Sequence, residues 1–164
     1  MDDSLPAHTD HARAIDLAYK ALATRERTVS ELRTFLERKR IDPSAIEAAV
    51  QELTESGFLN DERYAHRFAE DKRALDLWGA GRIARDLHRR GIEPQLVDAA
   101  CASQGRSDEL ESALVLLGER LPEPPADDRA RDKAWRVLVR RGYEPELAYE
   151  AVRLHERRLS SRAA

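Results

Sequence analysis

A chain of 164 residues with 5% aromatic and 36% charged side chains suits many short amphipathic helices better than a sandwich rich in aromatic and β-branched residues. Its formal net charge of −3 excludes a uniformly basic nucleic-acid glove, so phosphate contacts have to come from local patches. The single cysteine, Cys101, excludes an internal disulfide, and the longest apolar run, Ala113 to Leu117, falls far short of the roughly 20 residues that cross a bilayer.

Acidic Asp2 and Asp3 and the interrupting Pro6 do not make a signal peptide, so a cytoplasmic protein is expected, with residues 1–9 as a flexible tail. Apolar spacing at Ile15, Ala18, Tyr19 and Leu22 predicts a first helix from about Asp10 to Ala23. Thr28 and Glu31 form a capping box for a second, built on Val29, Leu32 and Leu36, and Asp42 begins a third, carrying Ile46, Ala49, Val50 and Leu53 and stopping at Gly57. A stiff joint follows. Asn60 is a good N-cap, Asp61 and Glu62 set negative charge in the first turn, and Leu59 and Tyr64 stand at staple spacing. Tyr64, Ala65, Phe68 and Ala69 then make one apolar stripe, which assigns Tyr64 and Phe68 to the core.

This helix is expected to run to about Leu75, followed by Ala80 to Arg90 on Ile83, Ala84 and Leu87, and by Pro94 to Ser103. Leu110, Ala113, Leu114 and Leu117 mark the next helix, which Pro122 to Pro125 breaks. Asp127 or Asp128 caps its successor on Ala134, Val137 and Leu138, and the last helix runs from Pro145 to about Arg157 before a tail at residues 159–164.

Leu36-Glu-Arg-Lys-Arg-Ile41-Asp-Pro43, Leu87-His-Arg-Arg-Gly-Ile92-Glu-Pro94 and Leu138-Val-Arg-Arg-Gly-Tyr143-Glu-Pro145 are copies of one junction, with prolines 51 residues apart. Each ends a helix on two cations, turns, and opens the next helix with proline at its first position. Gly91 and Gly142 suit the turn residue, whereas Arg40 does not, so the first turn is expected to be strained or differently shaped. The predicted fold is all-α: three tandem three-helix repeats, at 10–59, 60–105 and 106–158, stacked as an elongated curved solenoid.

Catalytic chemistry is hard to find. No phosphate-cradling glycine motif is present, and His8, His11, His66, His88 and His155 lack metal-ligand spacing. Cys101 aligns with Val50 and Val152 in the repeat and reads as a small buried hydrophobe. No enzyme activity, cofactor or metal is expected. The basic residues recur instead: Arg38, Lys39 and Arg40, then Arg82, Arg85, Arg89 and Arg90, then Arg136, Arg140 and Arg141. Such a row suits a phosphate backbone or a filament groove, although Lys and Arg also favour any helix C-terminus. Trp78, beside Gly79, reads as a packing anchor.

Gly57-Phe-Leu-Asn-Asp-Glu-Arg-Tyr-Ala65, followed by Phe68, Lys72-Arg73, Trp78-Gly79, Arg82-Ile83, Leu87 and Gly91-Ile92, resembles the signature of the RecX regulatory proteins, and the resemblance extends from about Ala12 to Arg157. It implies a monomeric, non-enzymatic modulator of the RecA recombinase that sits in the groove of RecA filaments on single-stranded DNA. Such a protein restrains filament extension, ATP hydrolysis and strand exchange, and so tunes recombination, repair and the SOS response. Under this reading Arg38, Lys39, Arg40, Lys72, Arg73, Arg82, Arg85, Arg89, Arg90, Arg136, Arg140 and Arg141 face the filament and its DNA, with direct nucleic-acid binding weak. Gly57, Asn60, Asp61, Tyr64, Phe68, Gly79, Leu87, Gly91 and Ile92 hold the fold. The alternatives are a helix-turn-helix-like DNA-binding transcriptional regulator, because three-helix units with short turns imitate such domains, and an adaptor scaffold with an unrelated partner.

Overall fold

The computed structural model describes the backbone of residues 5–163 and the side chains of residues 10–161. These residues form α1 (Leu5–Thr24), α2 (Val29–Arg38), α3 (Pro43–Glu55), α4 (Asp61–Asp76), α5 (Ala80–Arg89), α6 (Pro94–Ala102), α7 (Arg106–Arg120), α8 (Asp128–Arg140) and α9 (Pro145–Ala163), with no strand among them. Most helix ends fall within a residue or two of the predicted ones. Both terminal helices are longer than expected: α1 begins inside the expected tail, of which residues 1–4 lie outside the described residues, and α9 runs through most of the tail expected at 159–164.

The caps are the predicted ones, with one change of role. Asn60 Oδ1 accepts from the Arg63 amide at 2.8 Å, Asp127 from Ala130 at 2.8 Å, and Asp42 from Ser44 at 2.9 Å. Thr28 Oγ1 accepts from the Glu31 amide at 3.1 Å. Glu31 does not complete the capping box; its carboxylate instead pairs with Arg25 at 3.1 Å and Arg90 at 2.9 Å.

The three junctions share one backbone. Positive φ falls at Arg40 (+58°), Gly91 (+78°) and Gly142 (+94°). In each, the next amide reaches back to the carbonyl of the helix's conserved-register leucine: Ile41 to Leu36, Ile92 to Leu87 and Tyr143 to Leu138. This is the Schellman closure that satisfies the last orphan carbonyls of a helix. Arg40 adopts it without being glycine, at a cost of about 1 kcal/mol for a left-handed L-residue.

The chain divides into two compact units, residues 1–65 with 87–96, and residues 66–86 with 97–164. The first has a core from α1, α2 and α3, including Ala14, Ala18, Leu32, Leu36, Ile46, Ala49 and Leu53, sealed by Leu59. The second has a core from α7, α8 and α9, including Leu116, Leu117, Leu138, Tyr143, Leu147 and Ala151. The middle triplet α4 to α6 is shared: the start of α4, the end of α5 and the start of α6 belong to the first unit, and the remainder to the second. The stripe on α4 is narrower than predicted. Ala65 and Ala69 are buried completely, whereas Tyr64 and Phe68, expected in the core, are only partly buried because the small alanines face inward and the rings flank them.

Inside each unit, one middle helix is locked at its N-terminus by residues from the copy that comes next in sequence. For α2, the Val29 amide donates to Asp61 Oδ1 at 2.9 Å, and the buried Thr28 hydroxyl donates to the Arg90 carbonyl at 2.7 Å. For α5, the amides of Gly79 and Gly81 donate to the carbonyls of Arg141 and Gly142, each at 2.9 Å, and the Ala80 amide donates to Glu109 Oε1 at 3.1 Å. At α5, orphan N–H groups of one helix start are thereby matched to orphan carbonyls at the end of α8, which aligns opposite ends of two dipoles, whereas at α2 side chains of Asp61 and Thr28 make the links. The approach is close. A Cβ on Gly142 would strike the Arg82 backbone nitrogen, and one on Gly91 would strike the Ser30 side chain.

Candidate functional site

Register with the junctions puts the recurrent cations on one face of each middle helix. Around the start and length of α2 that face is Arg27, Glu31, Thr34 and Arg38; around the start and length of α5 it is Trp78, Arg82, Arg85 and Arg89; on α8 it is Arg129, Lys133, Arg136 and Arg140. In the first unit Arg38 and Arg89 converge with Arg25 and Arg27 around a groove of about 270 Å³ that also holds Glu31 and Phe35. The Arg27 guanidinium lies 5.0 Å from the Phe35 ring centre, and Lys39 stacks on the same ring at 5.6 Å. In the second unit Arg129, Lys133, Arg136 and Arg140 border a groove of about 510 Å³ together with Asp127 and Asp132. Arg136 is neutralised by Asp132 at 2.8 Å.

Arg38, Arg40, Arg85 and Arg140 are exposed and form no ion pair among the described residues. Arg25, Arg27, Arg129 and Lys133 belong to the same surfaces and were missed by sequence reasoning. Register offered a signal for three of them, since Arg27, Trp78 and Arg129, like Arg82 and Lys133, are 51 residues apart as the prolines are, but none for Arg25, whose equivalents are Asp76 and Asp127.

Several expected contact residues are built into the fold. Arg73 donates to the Ala100 and Cys101 carbonyls at 3.0 and 2.8 Å and to Ser103 Oγ at 2.9 Å, so it caps the end of α6. Arg90 is tied to Glu31, and Arg141 donates to the Asp76 carbonyl. Arg82 lies 4.0 Å from the Trp78 ring centre and Lys72 lies 4.8 Å from it, the latter also paired with Asp76 at 2.8 Å. Trp78 is thus held between two cations with Phe68 edge-on at 6.4 Å, which makes it an anchor.

The signature residues have structural tasks of longer range than their local spacing implied. Gly57 ends α3 at φ +77°. Asp61 reaches across to α2, and partial burial raises its carboxyl above the ordinary aspartate value despite the bond from Val29. Leu87 and Ile92 are buried. Tyr143, the third-copy equivalent of Ile92, is buried and donates its hydroxyl to the Leu77 carbonyl at 3.0 Å; burial holds its phenol well above the usual range.

Cys101 is half-buried with its sulfur 3.7 Å from the Ala80 carbonyl, and burial pushes the thiol up, away from the thiolate a nucleophile needs. His155 is buried against the Leu121 carbonyl at 2.8 Å, at the end of α7; His8 lies outside the described side chains. No group of three or more His, Cys, Asp or Glu side chains among the described residues is arranged to hold a metal ion, and no described helix is long and apolar enough to cross a membrane.

Residues 14–53 match the model of the first three-helix domain of RecX, and residues 60–100 that of the second. A regulatory protein RecX of Trichlorobacter lovleyi is 34% identical over 134 residues, covering 79% of this chain and 87% of the relative. One from Lactobacillus delbrueckii is 38% identical over 91 residues, 56% of this chain, but the match spans only 34% of that longer protein. The crystal structure of RecX from Lactobacillus salivarius superposes with a TM-score of 0.83 at 18% identity, covering 91% of this chain and 98% of the other, a likeness of fold.

Proposed function

This chain belongs to the RecX family of regulatory proteins, and on that premise we propose that it binds RecA filaments on single-stranded DNA and inhibits their extension, ATP hydrolysis and strand exchange. The observation that carries the reading is the exposed basic face repeated on α2, α5 and α8, whose Arg38, Arg85 and Arg140 have no carboxylate partner among the described residues. Unpaired guanidiniums are little desolvated in the free protein and gain most from a phosphate or carboxylate placed opposite them. Repetition of one weak contact suits a polymer of repeated subunits, where linked contacts multiply. The residues assigned to this interface are Arg38, Lys39, Arg40, Arg85, Arg89, Arg136 and Arg140, joined by Arg25, Arg27, Arg129 and Lys133. Lys72, Arg73, Arg82, Arg90 and Arg141 serve the fold instead. The protein works as a monomer in the cytoplasm and touches DNA only weakly outside the filament.

Titration into RecA-catalysed, single-strand-dependent ATP hydrolysis tests this. Combined Arg38→Ala, Arg85→Ala and Arg140→Ala is expected to raise the concentration for half-inhibition about tenfold or more, with melting unchanged, since each lost charge-assisted contact is worth about 1 kcal/mol or more. An unchanged inhibition curve removes the assignment. A specific footprint on duplex DNA instead supports a DNA-binding regulator.

A further inference from the structure

At one position along the seam between the second and third helices of a copy, the first repeat carries an ion pair and the third carries two aromatic rings. In the first, Arg33 on α2 and Glu47 on α3 form a two-pronged ion pair, with Nε to Oε1 at 2.7 Å and Nη2 to Oε2 at 2.8 Å. The positions one hundred and two residues further on are Trp135 on α8 and Tyr149 on α9. No charge strap can form at these two positions, and the ion pair that does cross this seam, Arg131 on α8 with Glu156 on α9, lies further along it. The seam becomes a groove of about 730 Å³ floored by Val152, within the roughly 300–1,000 Å³ typical of sites that bind small ligands. Trp135 is fixed by its indole N–H, which donates to the Pro145 carbonyl at 3.1 Å, while Tyr149 is 59% exposed.

The charges around this groove are unevenly satisfied. Arg131 is held by Glu156 at 2.6 Å and Asp128 at 2.7 Å, and Asp132 is held by Arg136 at 2.8 Å. The hydrogen bonds between Arg131 and Glu156 keep the Glu156 carboxyl below its ordinary value. Arg153 and Arg157 line the same groove without an ion pair among the described residues. Arg153 donates to the Tyr149 hydroxyl at 3.2 Å and sits 5.8 Å from its ring centre, so cation and aromatic face are presented together.

We propose that the α8–α9 groove is a docking site for a peptide segment of a partner protein that carries one large apolar side chain with carboxylates close behind it. The apolar side chain enters between Trp135 and Tyr149, and the carboxylates meet Arg153 and Arg157, where a bidentate guanidinium contact adds direction. A nucleic-acid strand suits the groove less, because Asp128, Asp132 and Glu156 line it and would face a phosphate at every nucleotide. An exposed aromatic beside an unpaired arginine is the composition of a binding anchor. The groove shares Asp132 with the basic face on α8, but its anchors Trp135, Tyr149, Arg153 and Arg157 are not among the residues assigned to the RecA filament, so it stands or falls without that reading.

Selection of phage-displayed random dodecapeptides on the full chain, with RecA and DNA absent, tests it. The enriched peptides are expected to pair an aromatic residue or leucine with two or more acids within the next four residues. Their affinity is expected to drop at least about tenfold on Tyr149→Ala and again on combined Arg153→Gln and Arg157→Gln, with Tyr149→Phe largely retaining it and melting unchanged in all. Three results overturn the proposal: no enrichment over background, enriched peptides indifferent to these substitutions, or oligothymidine binding that depends on the same residues while peptides do not bind.

Discussion

Arg40 and Gly142 occupy the same position in two copies of one turn, at φ +58° and +94°, yet Arg40 projects into solvent while Gly142 is buried against the start of α5. The difference lies in whether an earlier copy is present to receive the turn. A turn of the second or third copy has the middle helix of the copy before it to lock onto: Gly91 lies against Ser30, and Gly142 against Arg82. Among the described residues no earlier copy is present for the first turn to meet. Glycine is therefore demanded twice over in the later turns, by backbone conformation and by the absence of room for a Cβ, whereas the first turn faces only the conformational cost. Identical local chemistry is thus put to unequal use. The α8–α9 groove shows the same inequality, since the strap Arg33–Glu47 and the pair Trp135 and Tyr149 stand at one repeat position with opposite consequences.

The inequality of the turns is tested most severely at Gly142. Gly142→Ala is expected to destabilise by about 3 kcal/mol, combining a left-handed L-residue with displacement of the α5 start; urea unfolding measures it. A cost no larger than about 1 kcal/mol would mean that the turn does not lock α5. Thr28→Val probes the equivalent lock on α2. It removes the N-cap acceptor for Glu31 and strands the Arg90 carbonyl, both at a completely buried residue, so a loss of about 2 kcal/mol is expected. The smallest effect has the opposite sign. Arg40→Gly is expected to stabilise by about 0.5 to 1 kcal/mol, because relief of the left-handed strain exceeds the entropy glycine adds to the unfolded chain. A loss in that variant would show that the Arg40 side chain contributes contacts its exposure does not suggest.

Much of the fold is legible in the order of residues. Periodic apolar positions predict nine helices, and Asn60, Asp127 and Thr28 cap as their local sequence implies, because capping is decided within three or four residues. The candidate interface is legible in part. Register alone finds Arg38, Arg85 and Arg140 but also selects Arg90 and Arg141, and the family signature adds Arg73; the hydrogen bonds of these three go to carbonyls or carboxylates far away in the chain. A basic residue at a helix end looks the same in sequence whether it meets solvent or a distant carbonyl. The same limit hides the incomplete burial of Tyr64 and Phe68, since a stripe of four apolar positions does not say which two will be fully covered.

Interactions between near neighbours are enough to set the helices, their caps, the shared turn geometry and the 51-residue register, which is why all of these can be read from the order of residues. Tertiary packing alone selects which orphan amides meet which carbonyls, which arginines are consumed in doing so, and that the third copy opens where the first is strapped shut. Those outcomes depend on partners 14 to 66 residues apart, from the Arg33–Glu47 strap to the Tyr143 hydroxyl on Leu77. Pairing at that separation is set by how faces pack, which local periodicity does not encode.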